Sequence, residues 1–235
     1  MTETLDAASL TAISDLPGSL AQRVYQSLRD AILSLAVPPG AVLRKSVICE
    51  ELGVSRSPVS EAIARLSSEG LVDVIPQSGT RVSRFSIDEI REGAFMREAL
   101  ELAAVAKVAT DRTPEQLAQL TRNLRLMELL AEDNDQAGFY KEDEAFHALL
   151  MEFTGFPGLA AAVATISLKL KRPRILLLPS PGRSAEVVAE HREVLEAIRD
   201  GDAEKAQASL RFHLSQLVRR FDSLEKQHPE FFRPK

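Results

Sequence analysis

Apolar residues recur along most of this chain at spacings of three and four, the period of a helix with one buried face. Leu20, Val24, Leu28, Ile32 and Leu35 follow one another at intervals of four, four, four and three, so Ser19–Ala36 reads as an amphipathic helix that Pro38-Pro39-Gly40 ends. A short helix is predicted over Lys45–Leu52 and a second over Ser55–Gly70. Between them Gly53 supplies the left-handed residue that ends the first, and Ser55 stands at the N-cap of the second. Pro58 falls in that helix's first turn, where a missing N–H costs little, and Val59, Ile63 and Leu66 form its apolar face. The pattern then changes to β-branched residues. Leu71–Ile75 and Thr80–Ser83 read as two strands joined by a turn at Pro76-Gln77-Ser78-Gly79. From Ile87 onward the chain returns to nearly continuous helix, with segments near 87–110, 114–131, 136–153, a fourth ending near Pro173, 184–199 and 203–224. Thr113 and Pro114 mark the start of the second of these, as N-cap and first helical residue.

The predicted fold is mainly α. An N-terminal winged helix-turn-helix with a small β-hairpin occupies residues 18–85, and an all-α antiparallel bundle occupies 86–225. Residues 1–17, small, polar and acidic, read as a mobile arm, and 226–235 as a tail. A short helix, a sharp turn and a helix presenting N-terminal polar residues is how such a motif enters a major groove. A surface helical hairpin in an all-α core is the competing reading of the same stretch.

Net charge is −5, which taken alone argues against a nucleic-acid partner, but the charges are unevenly placed. Residues 1–16 carry three acids and no bases, 17–85 carry eight bases and six acids, and 86–235 carry 21 bases and 25 acids. The helix-turn-helix segment is thus the net basic one, and groove binding requires a local basic surface. The single cysteine, Cys49, excludes an internal disulfide and fits a reducing compartment. An acidic start and the lack of any apolar run near 18 residues argue against a signal peptide and a membrane helix, which makes the expected location cytoplasmic.

Three of the four histidines fall into one arrangement. Asp143 and His147 are four residues apart on a predicted helix and share a side of it. His191 lies 11 residues before the turn centre at Asp202 and His213 lies 11 after it, so an antiparallel pair of helices sets them opposite each other. One Asp and three His form a donor set suited to a first-row divalent metal: Zn, Ni, Mn or Fe. On spacing alone, packed or surface histidines and a simple i,i+4 surface pair remain the competing reading.

Both halves resemble the GntR family of bacterial transcriptional regulators, in its FadR subfamily. The resemblance rests on Leu52-Gly53-Val54-Ser55-Arg56-Ser57-Pro58-Val59, Glu61-Ala62-Ile63, Arg65-Leu66 and Glu69-Gly70-Leu71-Val72 in the first half. In the second half it rests on Asp143, Phe146-His147, Glu190-His191-Arg192, Ala197-Ile198, Gly201-Asp202, Ala206 and His213-Leu214. It covers about residues 19–222. It implies a winged helix-turn-helix joined to a six-helix FCD effector domain, homodimers on palindromic double-stranded operators, and a metal held by Asp143, His147, His191 and His213. It also implies a small carboxylate effector, with Arg97 as the arginine that faces it. The chain departs from the family where many members carry arginine, at Ser46 and Ser60, and where Phe156 replaces a common asparagine.

The resulting expectation is a DNA-binding regulator, acting as a repressor and not as an enzyme, whose operator affinity follows an organic acid bound beside a metal, Zn by preference. Arg56, Ser57 and Ser60 are expected at the major groove and Arg44, Lys45 and Arg65 near the backbone, with Ser55, Gly79 and Arg81 also on the DNA side. Three other readings stand beside it: a metal-dependent hydrolase using the Asp/His set, a regulator that senses the metal itself, and a metal-free pocket in which the histidines hold the acid directly.

Overall fold

The structure is a computed structural model that describes residues 10–77, 79–177 and 180–234. Its chain forms two compact units. One comprises Met1–Ile87 together with Glu225–Lys235, and the other Asp88–Leu224.

In the first unit, α1 (Leu20–Leu33), α2 (Lys45–Leu52) and α3 (Arg56–Ser68) precede an antiparallel hairpin of β1 (Val72–Ile75) and β2 (Gly79–Val82). A reciprocal capping box between Ser19 and Gln22 starts α1, satisfying two amides that helix geometry leaves open. Val24, Leu28 and Ile32 are fully buried, as their spacing predicts, and α1 packs on α3, where Val59, Ile63 and Leu66 are buried. Gly53 ends α2 at φ 62°, and Ser55 holds the extended backbone of an N-cap although its hydroxyl makes no capping hydrogen bond. The register pairs Val72 with Val82 and Ile75 with Gly79, whose φ of 101° suits glycine at the tip of the wing.

Both ends of this unit are more ordered than their composition suggests. Of the stretch read as a mobile arm, residues 1–9 lie outside the described residues. Ile13–Asp15, however, forms a 3-10 turn, the Thr11 carbonyl accepts from Ser27 Oγ at 2.7 Å, and the Ile13 carbonyl accepts from Arg23 at 3.2 Å. The stretch read as a tail also packs. Phe232 is 4% exposed and meets Phe85 edge to face, with ring centroids 5.3 Å apart. Phe85 N–H donates to the Phe231 carbonyl and Arg233 N–H donates to the Phe85 carbonyl, both at 2.8 Å. Arg84 donates to the Glu230 carbonyl at 2.9 Å. Two prolines and several charges disguise a segment that Phe231 and Phe232 bind to Phe85 through a short parallel bridge.

The second unit contains α4 (Ile87–Asp111, shared at its first residue), α5 (Pro114–Glu132), α6 (Gln136–Phe153), α7 (Pro157–Leu177), α8 (Arg183–Asp200) and most of α9 (Ala203–Gln227). Thr113 and Gln116 form the capping box that opens α5, with Pro114 behind the cap. α5 packs on α6 and α8 around a core that includes Leu120, Met127, Phe139, Phe146, Leu150, Val194 and Leu210. α7 runs four residues past Pro173, where the sequence pattern ends it. The proline's fixed φ is helical and only one backbone hydrogen bond is forfeited. The continuation carries Arg174 into the unit's interior. Gly201, at φ 77°, closes α8, and Asp202 opens α9 by accepting from Lys205 N–H.

Phe232→Ala is expected to destabilise the winged unit by about 3 kcal/mol, the usual cost of emptying a buried aromatic site. Denaturant unfolding of the full chain measures this, and a change below about 0.5 kcal/mol, the range of ordinary surface substitutions, would show that the segment contributes no packing.

Candidate functional site

The four expected ligands converge. α6 supplies Asp143 and His147 from adjacent turns, α8 supplies His191 and α9 supplies His213, and all four are buried. One ligand atom from each lies within 4.8 Å of the others. His213 Nε2 is 3.2 Å from His147 Nε2 and 3.3 Å from His191 Nε2, and His191 Nε2 is 3.5 Å from Asp143 Oδ1. A tetrahedral site with ligand bonds of about 2.0–2.1 Å has edges of about 3.3 Å, so these separations match a first-row metal. The equal distance of His191 and His213 from the turn brings their rings to 4.5 Å between centroids.

The outer shell assigns the tautomers. His147 Nδ1 meets Glu101 Oε2 at 2.7 Å and His213 Nδ1 meets Glu190 Oε2 at 2.6 Å. Each carboxylate requires a proton on the nitrogen facing it, which in the neutral imidazole frees Nε2 to act as a ligand. His191 turns Nδ1 to Met127 Sδ at 3.4 Å and stacks on Phe146 with centroids 4.3 Å apart. The Nε2 atoms of all three rings are thus turned toward one another and toward Asp143.

Electrostatics favour the ligating forms. Burial, joined by the charge of Arg97, holds His147 well below the usual histidine range, and burial with His213 does the same to His191. Burial alone would raise Asp143, but Arg174 and then His191 outweigh it and hold the carboxyl well below its usual range. Arg174 pairs with Asp143 Oδ2 and with Glu144 Oε1. Glu190 is lowered as well: burial opposes its charge, but hydrogen bonds from His213 and Arg183 prevail.

Arg97, expected to meet an effector, is 3% exposed, and its Nε donates to Glu101 Oε1 at 2.5 Å. It also lines a cavity of about 50 Å³ beside Asp143 and His213. Arg174, Arg183 and Arg220 line the same cavity, and Leu177 and Leu217 are among its apolar wall. Tyr140 lines it too. Its hydroxyl is buried, and burial pushes its pKa well above the usual range, so it keeps its proton. Glu101, Arg174, Arg183 and Tyr140 escape the sequence reading as site residues. Of these, Arg97–Glu101 carried a signal, the i,i+4 spacing of opposite charges. Glu144 and Glu190, adjacent to two ligands in sequence, turn to Arg174 and to His213 with Arg183.

On the other unit, the residues expected at DNA divide by their partners. Arg44 and Arg56 stand exposed at the starts of α2 and α3. Lys45 Nζ donates to Ser60 Oγ at 3.1 Å, and Ser57 Oγ donates to Glu61 at 3.3 Å. Arg65 stacks on the Tyr25 ring at 3.8 Å and pairs with Glu69, which also accepts from Tyr25 at 2.6 Å. Arg81 donates to the Gly40 carbonyl at 3.4 Å.

Glu101→Ala is expected to cost about 3 kcal/mol in denaturant unfolding, because Arg97 is left charged and unpaired in the interior. A loss below 1 kcal/mol would mean that water reaches Arg97.

Comparison with known proteins bears on both units. Residues 20–82 match the family model described as bacterial regulatory proteins, gntR family, and residues 92–216 match that of the FCD domain. An HTH-type transcriptional regulator in an unstable DNA locus of Streptomyces ambofaciens is 34% identical over 209 residues, covering 89% of this chain and 88% of that protein. The HTH-type transcriptional repressor RspR of Escherichia coli K12 is 25% identical over 211 residues, covering 90% and 92%. The solved structure of E. coli McbR/YncC shares the fold at a TM-score of 0.71 and 24% identity, covering 90% of this chain and 99% of that one. With both models matched in order over most of its length, the chain belongs to the GntR family of DNA-binding transcriptional regulators, in the FadR-type arrangement of a winged helix-turn-helix followed by an FCD effector domain.

Proposed function

We propose that this regulator is a repressor whose operator affinity is set by a small carboxylate bound beside a divalent metal, with Asp143, His147, His191 and His213 as the metal's ligands. The observation that carries the reading is the sharing of one cavity wall by Asp143, His213 and four arginines. A metal there would supply a Lewis-acidic partner for the effector's carboxylate. Arg97, Arg174, Arg183 and Arg220 would supply the positive field, and Tyr140 a protonated hydroxyl on the same wall. Zn fits three imidazoles and one carboxylate, as do Ni, Mn and Fe. The relative named a repressor supports that sign of control.

On this reading the protein is a homodimer that sets two α3 helices on a palindromic operator. Arg56, Ser57 and Ser60 face the major groove, Ser55, Arg44, Lys45 and Arg65 flank it, and Gly79 and Arg81 shape the wing. Effector binding shifts the population of domain arrangements and so the spacing of the two α3 helices. A hydrolase has less support: the two acids adjacent in sequence to metal ligands, Glu144 and Glu190, are engaged in ion pairs. No helix among the described residues is long and apolar enough to cross a membrane, which suits the cytoplasmic location proposed for it.

Elemental analysis of untagged protein should find about one metal per chain, absent from His191→Ala and His213→Ala. Absence of metal after reconstitution would sink the four-ligand assignment. Glu190→Gln should retain metal about 10- to 100-fold more weakly, since the charged acceptor that orients His213 becomes a neutral amide. Operator binding, titrated with a panel of small carboxylates, should respond to at least one of them. Stripping the metal should abolish that response. A response that survives stripping would favour the histidines as direct ligands of the acid.

A further inference from the structure

The recognition helix lacks an arginine at position 60, and the structure shows what stands there instead. Ser60 lies one turn beyond Arg56 on α3, on the same side of the helix. Its hydroxyl accepts a hydrogen bond at 3.1 Å from Lys45 Nζ, which reaches over from the first residue of α2. Lys45 is exposed and has no carboxylate partner among the described residues. Of the other polar groups nearby, Ser57 is turned to Glu61, Arg65 to Tyr25 and Glu69, and Arg81 to Gly40, while Arg44 and Arg56 stand exposed. Lys45 is the cation that a hydrogen bond from α2 ties to Ser60 on α3.

The pair has a definite hydrogen-bonding character. An ammonium has three donors and no acceptor, and one donor is spent on Ser60. Because Ser60 Oγ accepts that bond, its own O–H remains to donate outward. Two N–H groups and one O–H are therefore left unspent side by side, a compact cluster of donors. In the major groove, guanine presents two neighbouring acceptors, N7 and O6. Adenine sets the N6 donor beside N7, cytosine offers the N4 donor, and thymine offers O4 beside a methyl group. A cluster of donors matches guanine and is opposed by the donors of adenine and cytosine.

We propose that Lys45 and Ser60 act together as a base-reading unit that selects guanine at one position of each operator half-site. This rests on the reading of α3 as the operator-binding helix and adds the base it selects there. Lys45 is then a specificity residue, where its place at the start of α2 would suggest only a phosphate contact. Ser60 positions it.

The test is selection from randomised duplex DNA with the full-length protein, followed by affinity measurements on the selected duplex and its single-base variants at several salt concentrations. Wild type should select guanine at one position per half-site, with about 10- to 100-fold discrimination there. Lys45→Ala should lose that preference and keep the preferences at other positions. Ser60→Ala should relax the same position, because the ammonium loses its anchor. Both side chains lie at the surface, and thermal melts identical to wild type confirm that each variant is folded. A Lys45→Ala variant that binds every duplex more weakly by one common factor, with the salt slope reduced by about one per protomer, would make Lys45 a phosphate contact and overturn the proposal. Relaxation at a base other than guanine, or an unchanged position in Ser60→Ala, would overturn it as well. Each of these leaves operator binding intact. Failure of wild type to enrich any duplex would instead overturn the reading beneath it.

Discussion

Charge confined to the interior is the constraint on which the effector domain depends. Glu101, Arg97, Asp143, Arg174, Glu190 and Arg183 lie buried or nearly so around three buried imidazoles. None can be accommodated alone, since an unpaired ion in a protein core costs several kcal/mol. Each is therefore fixed by its neighbours. Arg97 holds Glu101, which orients His147. Arg174 holds Asp143 on one oxygen and leaves the other turned to His191. Arg183 holds Glu190, which orients His213. The helices α4, α6, α7, α8 and α9 each bring between one and three members, so the ligand set is complete only when the bundle is.

How far the sequence revealed this differs by residue. The leucine and valine spacing of α1 and the cap at Thr113 are local signals, and each predicts its element. The opposition of His191 and His213 was also legible, because an antiparallel pair with a two-residue turn leaves little freedom of register. Arg174 was hidden by its neighbour. A proline reads as a helix end, yet α7 passes through Pro173 because the ring costs one hydrogen bond and the next residue gains two carboxylates. Glu101 and Glu190 were visible as acids on helices, but only packing decides which imidazole an acid faces.

Residues in contact across long sequence separations were the least legible. Phe85 and Phe232 are brought together by the fold of the whole chain, and nothing near Phe232 announces a partner. The departures at Ser46 and Ser60 were plain in the sequence, but their consequence was not. Only the structure joins Ser60 to a lysine 15 residues earlier, on a different helix.

The seat of Phe232 on the winged unit bears on the order in which this protein can be made. The DNA-binding fold begins at the front of the chain and its three helices emerge early, in the sequence order that favours folding during synthesis. Its last buried aromatic residue is the fourth from the end. The entire effector domain must be translated before that residue arrives. The part of the protein that is born first is thus the part completed last, and the DNA-reading unit reaches its full packing only on a chain that already carries its control domain.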